Sequence, residues 1–236
     1  MRTLSRRLAA SAGGLGLVAA GAAGLLWLFL ETTPPRLGFD DTDNPAVGLA
    51  FLRGHAEVYA QAGAALLVLA IGLTVAAIAM ADLLAERADH VALRATTTFG
   101  LFGAAFFMAH GIGRLSVHPL LYIDSLNHGW GEAAYVALQM VGVQMLVQGG
   151  LLMLSVWSAG VALIGARTRA LPRWLCALAV IPAFHILSVL GPLGVLPDLS
   201  ALWILFLISI IGTMLWLLGF GATLLWRHDG SVRAET

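Results

Sequence analysis

The chain has 236 residues, 59% of them hydrophobic and 11% charged, with a mean hydropathy of +0.88. Soluble domains carry about 25% charged residues, so this composition speaks against a water-soluble core and fits a bilayer protein. The 13 basic and 13 acidic residues cancel, which leaves no bulk charge to attract nucleic acid; every basic residue is an arginine, which excludes a lysine Schiff base, and the single Cys176 excludes an internal disulfide or a multi-cysteine metal site.

Taken in order, the apolar runs read as an all-α, polytopic membrane helix bundle, a single transmembrane domain over residues 1–236 with six spans. The first is 8–30, preceded by Arg2, Arg6 and Arg7. Its apolar character continues through LLWLFL beyond the small residues, so it reads as an uncleaved helix rather than a signal peptide. Gly16, Ala20 and Gly24 recur every four residues and suit close helix contact. Residues 31–57 read as a loop, stopped by Pro34 and Pro35 and kept in water by Asp40, Asp41, Asp43 and Asn44. That acidic run lacks calcium-loop spacing and reads as a solvated turn.

Spans two and three are 58–81 and 95–113, followed by a loop at 116–131. The fourth segment, 132–166, extends about 50 Å at 1.5 Å per residue, well beyond a hydrocarbon core of about 30 Å. It must tilt, protrude or break, and Gly149-Gly150 is the expected kink. Span five is 173–191, interrupted by Pro182 and carrying His185. After the 191–200 loop, Ser200 is the expected N-cap of span six, 201–226.

With both termini cytoplasmic, ten arginines (2, 6, 7, 87, 94, 167, 169, 173, 227 and 233) fall inside. Only Arg36, Arg53 and Arg114 fall outside, the asymmetry that sets topology. Trp27, Trp130 and Trp203 are then expected at the outer interface, with Trp174 and Trp226 at the inner one. The layout, with its long first outer loop and the turn LPRWLCALAV entering span five, resembles an uncharacterised family of bacterial six-helix integral membrane proteins. The resemblance rests most on LPRW at 171–174. It implies a multi-pass protein of the bacterial inner membrane and brings no catalytic motif.

Chemistry concentrates between His110 and Gln148. Polar groups at bilayer depth are expensive and usually have partners or a task. His110 lies 16 residues past Arg94 and His185 lies 12 past Arg173, about 24 and 18 Å up ideal helices, in the outer half of the bilayer. His55 and Glu57 stand at the mouth of span two with Gln61 a turn below; Arg114 shares a face with His110; Glu132, Gln139, Gln144 and Gln148 follow along segment four. These ten residues are the candidate ligand-binding set. His118 and His128 read as solvated loop residues, and Arg114 with Glu132 as an interfacial ion pair.

Three readings stay open. The first is an outward-facing polar cavity that binds a lipid or small molecule, or a membrane subunit that docks a partner. The second is an intramembrane enzyme acting on a lipid with His110 or His185 as base and Glu57 or Glu132 beside it, although no GxSxG, HExxH or histidine box is present. The third is a b-type cytochrome with His110 and His185 as axial haem ligands. The first needs no metal or cofactor. Membrane lipids are the expected partners in all three, with a homo-oligomer or a larger membrane complex also open, and no nucleic acid.

Overall fold

The computed structural model describes residues 2–39, 44–190 and 200–233, and among them helices joined by short turns leave no strand. The acidic run Asp40, Asp41 and Asp43 and the 191–199 connection lie outside the described residues. Helix α1 is Arg2–Glu31, α2 is Thr33–Arg36, α3 is Pro45–Leu84 and α4 is His90–Leu115. Two short helices follow, α5 (Val117–Leu126) and α6 (His128–Gln139). A π-helical segment, Met140–Val147, then leads into α7 (Gln148–Arg167). Helices α8 (Arg173–Leu178), α9 (Val180–Leu190) and α10 (Ser200–Arg233) complete the order. Five stretches are long and apolar enough to cross a membrane: α1, α3, α4, the α6–α7 run and α10. Helices α8 and α9 form a shorter apolar pair.

Several sequence expectations are corrected by local chemistry. The loop expected over 31–57 ends at Asn44, whose Oδ1 accepts from the Ala46 amide at 3.1 Å and caps α3, with Pro45 pre-set for its first turn. Leu49 and Leu52 give this extension a face to bury, and α3 bends at His55 (φ −142°, ψ 39°). The loop expected over 116–131 is helical for the same reason, since Val117 and Leu120 pack onto Leu49 and Leu52. The fourth segment runs on without a break at Gly149-Gly150, which lie inside α7; its irregular stretch is the π-helical one. Gly150 instead makes room for the Phe107 ring, which a Cβ there would meet at 3.1 Å. Of the tryptophans expected at the interfaces, Trp27 is buried against the bundle and the Trp203 side chain lies outside the described residues. Trp130, Trp174 and Trp226 are exposed.

Pro182 supplies no amide to the Leu178 carbonyl, and the fifth apolar stretch divides at Ala179. The Ala179 amide turns to the Ala177 carbonyl, and the Leu175 carbonyl takes the Trp216 indole N–H of α10 at 3.1 Å.

The long helices pack in a closed circuit: α1 on α3, α3 on α4, α4 on α7, α7 on α9, α9 on α10 and α10 back on α1. Three seams are set by pairs of glycines meeting backbone to backbone. A Cβ on Gly16 would lie 2.7 Å from the Gly72 carbonyl oxygen, one on Gly63 would lie 2.9 Å from that of Gly111, and one on Gly221 would lie 2.6 Å from that of Gly14. Without hydrophobic drive between helices in lipid, such close approach supplies the dispersion contact that holds a bundle. The interior is filled by Leu66, Leu69, Phe107, Met214 and Phe220, with Trp157 and Trp216 edge to face at 6.2 Å. Ser155 and Ser158 satisfy their buried hydroxyls on the carbonyls one turn back.

A second, smaller core lies at one end of the bundle. Residues 45–54 of α3, with α5 and α6, enclose Leu49, Phe51, Leu52, Val117, Leu120 and Tyr135. We refer to these segments as the cap. Gly48 admits the Tyr135 ring and Gly131 admits Asp124. Arg53 grips Asp124 Oδ2 through Nη2 at 2.6 Å and Nε at 3.0 Å, and His128 Nδ1 stands 3.3 Å from both Arg53 Nη2 and Asp124 Oδ1. Burial pushes the Asp124 carboxyl up, but the hydrogen bonds and charges of Arg53 and His128 outweigh it and hold the group below its ordinary value.

Candidate functional site

Between the cap and the bundle lies a cleft lined by Leu30, Glu31 and Pro34 of the α1–α2 corner, Phe51, Leu52, Val58, Tyr59 and Ala62 of α3, Arg114 of α4, and Tyr135 and Gln139 of α6. Its water-accessible core is about 30 Å³. One water needs roughly 10–15 Å³ on that measure, so about two waters, or a group of similar size, fit inside.

Arg114 organises the site. It sits in the last turn of α4, where a cation also meets the free carbonyl end of the helix, and it is only 4% exposed. Nη1 pairs with Glu31 Oε1 at 2.6 Å, and the same oxygen accepts the Trp27 indole N–H at 2.6 Å. The guanidinium lies over the Tyr59 ring, 4.5 Å from its centroid, a geometry in which the ring's negative face meets the charge. Nε donates to His110 Nε2 at 2.9 Å. A guanidinium can only donate, so this imidazole is neutral with its proton on Nδ1. That nitrogen has no hydrogen-bond partner among the described residues and lies against the π-helical segment, where a Cβ on Gly142 would stand 2.6 Å from it. π-Helical turns inside α-helices recur at functional sites, and here the segment brings its one glycine to the His110 ring.

Two further polar atoms of the cleft residues are buried with no partner among the described residues: the Tyr59 hydroxyl and Gln139 Oε1. Gln139 spends its Nε2 on the Tyr135 hydroxyl at 2.9 Å. Buried polar atoms in native structures nearly always have a partner, so these two are positions where a ligand or water completes the set.

The ten candidate residues do not share one place. Arg114 and Gln139 line the cleft, and His110 stands behind it through Arg114. His55 and Glu57 face one another at 3.8 Å, with the His55 ring edge to face with Phe39 and tilted against Phe51 beside the cap. Gln61 and Glu132 are exposed and Gln148 is half-buried. The Gln144 side chain lies outside the described residues. His185 belongs to the α9–α10 seam, with Nδ1 3.4 Å from Ser209 Oγ and its ring 5.5 Å from that of Phe206. The ion-pair partner of Arg114 is Glu31, not the expected Glu132.

Glu31, Tyr59 and Tyr135 were not in the candidate set. Glu31 ends the first apolar run, where it reads as the start of a loop; the signal was Trp27 one turn before it, at i,i+4 spacing. Tyr59 lies two residues from both Glu57 and Gln61, about 200° round an ideal helix from either. The more polar pair therefore marks the exposed face, and Tyr59 marks the face turned inward. Among the described residues no three His, Cys, Asp or Glu side chains cluster to hold a metal. No family model, curated protein or solved structure matches the chain.

Proposed function

We propose that this is an integral membrane protein that crosses the bilayer six times with both termini cytoplasmic, and that it binds a small molecule or lipid in the Arg114 cleft at the outward end of the bundle. The α8–α9 pair supports the sixth crossing: residues 173–190 extend about 27 Å at helical rise, close to the hydrocarbon thickness. The ten-to-three arginine bias supports the orientation.

One observation carries the binding reading. A cleft of mixed polar and apolar lining contains a buried, already neutralised charge pair, Glu31–Arg114, beside two buried polar atoms, on Tyr59 and Gln139, that no described protein group satisfies. Binding sites combine apolar side chains with fixed polar groups that orient the ligand, and this cleft has both. The cytochrome alternative finds less support, because His110 Nε2 is held by Arg114 and Nδ1 abuts Gly142, so an iron would have to displace one of them. For lipid chemistry, the Ser209 hydroxyl near His185 donates to the Phe206 carbonyl at 2.9 Å.

The test is mass spectrometry of molecules retained through purification, comparing the wild type with Tyr59→Phe/Gln139→Leu. The expected outcome is a defined species on the wild type that the variant loses while its helical circular dichroism is unchanged. Equal retention by both, or no retained species, overturns the reading.

A further inference from the structure

Resting on the binding reading above, we infer that the cleft selects an uncharged, hydroxyl-bearing headgroup carried on an apolar tail, of the monoacylglycerol type, and rejects anionic and cationic heads. Charge balance sets the selection. Arg114 is buried but cancelled by Glu31 at 2.6 Å, and His110 accepts from Arg114 and is neutral. A second anion would face Glu31 and a second cation would face Arg114, each inside a space with little water to screen them. A neutral hydroxyl costs neither penalty.

Hydrogen-bond valence gives the same answer. Gln139 Oε1 can only accept, whereas the Tyr59 hydroxyl donates and accepts. A ligand hydroxyl can donate to Gln139 and accept from Tyr59, or a vicinal pair can divide the two tasks. The enclosed core takes about two water-sized groups, the size of a terminal diol. The space holds the head alone; Leu30, Pro34 and Val58 of its lining are apolar and half-buried, the side on which a tail would leave it.

The experiment uses the full chain in phosphatidylcholine nanodiscs, which avoids sugar-headed detergents that would compete. Monoolein, oleate and oleylamine share one chain length and differ in headgroup charge; free glycerol supplies the hydroxyls without the tail. We expect monoolein alone among the amphiphiles to raise the thermal midpoint, by about 5 °C at saturating levels. Tyr59→Phe keeps the ring under Arg114 and should abolish that rise. Glu31→Gln leaves the arginine charge uncancelled and should move the preference to oleate, a switch that a purely structural glutamate would not produce. A rise with glycerol equal to that with monoolein supports the hydroxyl chemistry and assigns it to a free polyol. Wild-type stabilisation by oleate or oleylamine as large as by monoolein overturns the selectivity while leaving a binding cleft. No shift with any of the four overturns both, and the cleft then holds solvent water only.

Discussion

The bundle and the cap each bury one member of an arginine–carboxylate pair, and they bury opposite members. In the bundle Arg114 is the hidden partner, its side chain 5% exposed against 34% for Glu31; in the cap Asp124 is hidden, at 4% against 49% for Arg53. The surroundings differ as well. Arg114 sits at a seam where the Gly63 and Gly111 backbones touch, with Tyr59 and His110 fixing the guanidinium on two further sides. Asp124 is covered chiefly by Arg53 and the Gly131 backbone, a thin screen at the protein surface. A pair within tight helix packing is part of the framework, whereas a pair joining the first turns of α3 to the short α5 is a fastening that can open.

The comparison breaks most visibly when one partner is removed from each. Glu31→Ala leaves a buried arginine without its counter-charge, a class of change that costs about 3–5 kcal/mol. Arg53→Ala also strands a hidden carboxylate, but His128 stays 3.3 Å from it, and the loss should be smaller, about 1–3 kcal/mol. Thermal unfolding of the two variants in one detergent checks the ranking; equal losses would mean that the cap is as much a part of the framework as the bundle.

A single substitution type made twice in α3 sharpens the same contrast. Gly63→Ala places a methyl 2.9 Å from both the Gly111 carbonyl and the Arg114 Cβ and should cost about 1–3 kcal/mol through overpacking. At Gly54 a Cβ meets nothing within 4 Å and the backbone is not left-handed. Gly54→Ala should therefore be neutral or stabilise by up to about 1 kcal/mol. Opposite signs in the shift of unfolding midpoint are the expected result.

The sequence made the bundle legible because lipid imposes long apolar runs, and the four-residue spacing of Gly16, Ala20 and Gly24 foreshadowed real contacts with α3 and α10. Arg114 and His110 were legible as a pair because four residues on a helix share a face. The cap was not. Its helices are short, and Val117 and Leu120 bury against Leu49, Leu52 and Tyr135 of other segments, a tertiary fact that local pattern does not carry. The cleft was half legible. Polarity singled out Arg114 and Gln139, but it also singled out Glu57 and Gln61 on the exposed face. It passed over Tyr59 and Tyr135, whose rings look like core residues until their hydroxyls are located.

The smallest expected effect, and the one that isolates the fastening, is acid release of the cap. The Asp124 carboxyl is held below its ordinary value because the Arg53 and His128 hydrogen bonds overcome the effect of burial. An acid depressed in the folded state stabilises fully above its unfolded pKa of about 3.9, and that contribution is lost as pH falls through the lower folded value. The cap should thus stay closed from pH 7 to 5 and loosen only below about pH 4. Spin labels at the exposed Ala50 and Tyr122, in a Cys176→Ser background, report this as a separation constant to pH 5 and broadened at pH 3. Asp124→Asn should give the broadened distribution at every pH. Loosening already between pH 7 and 5 would show that the Asp124 carboxylate is not the fastening.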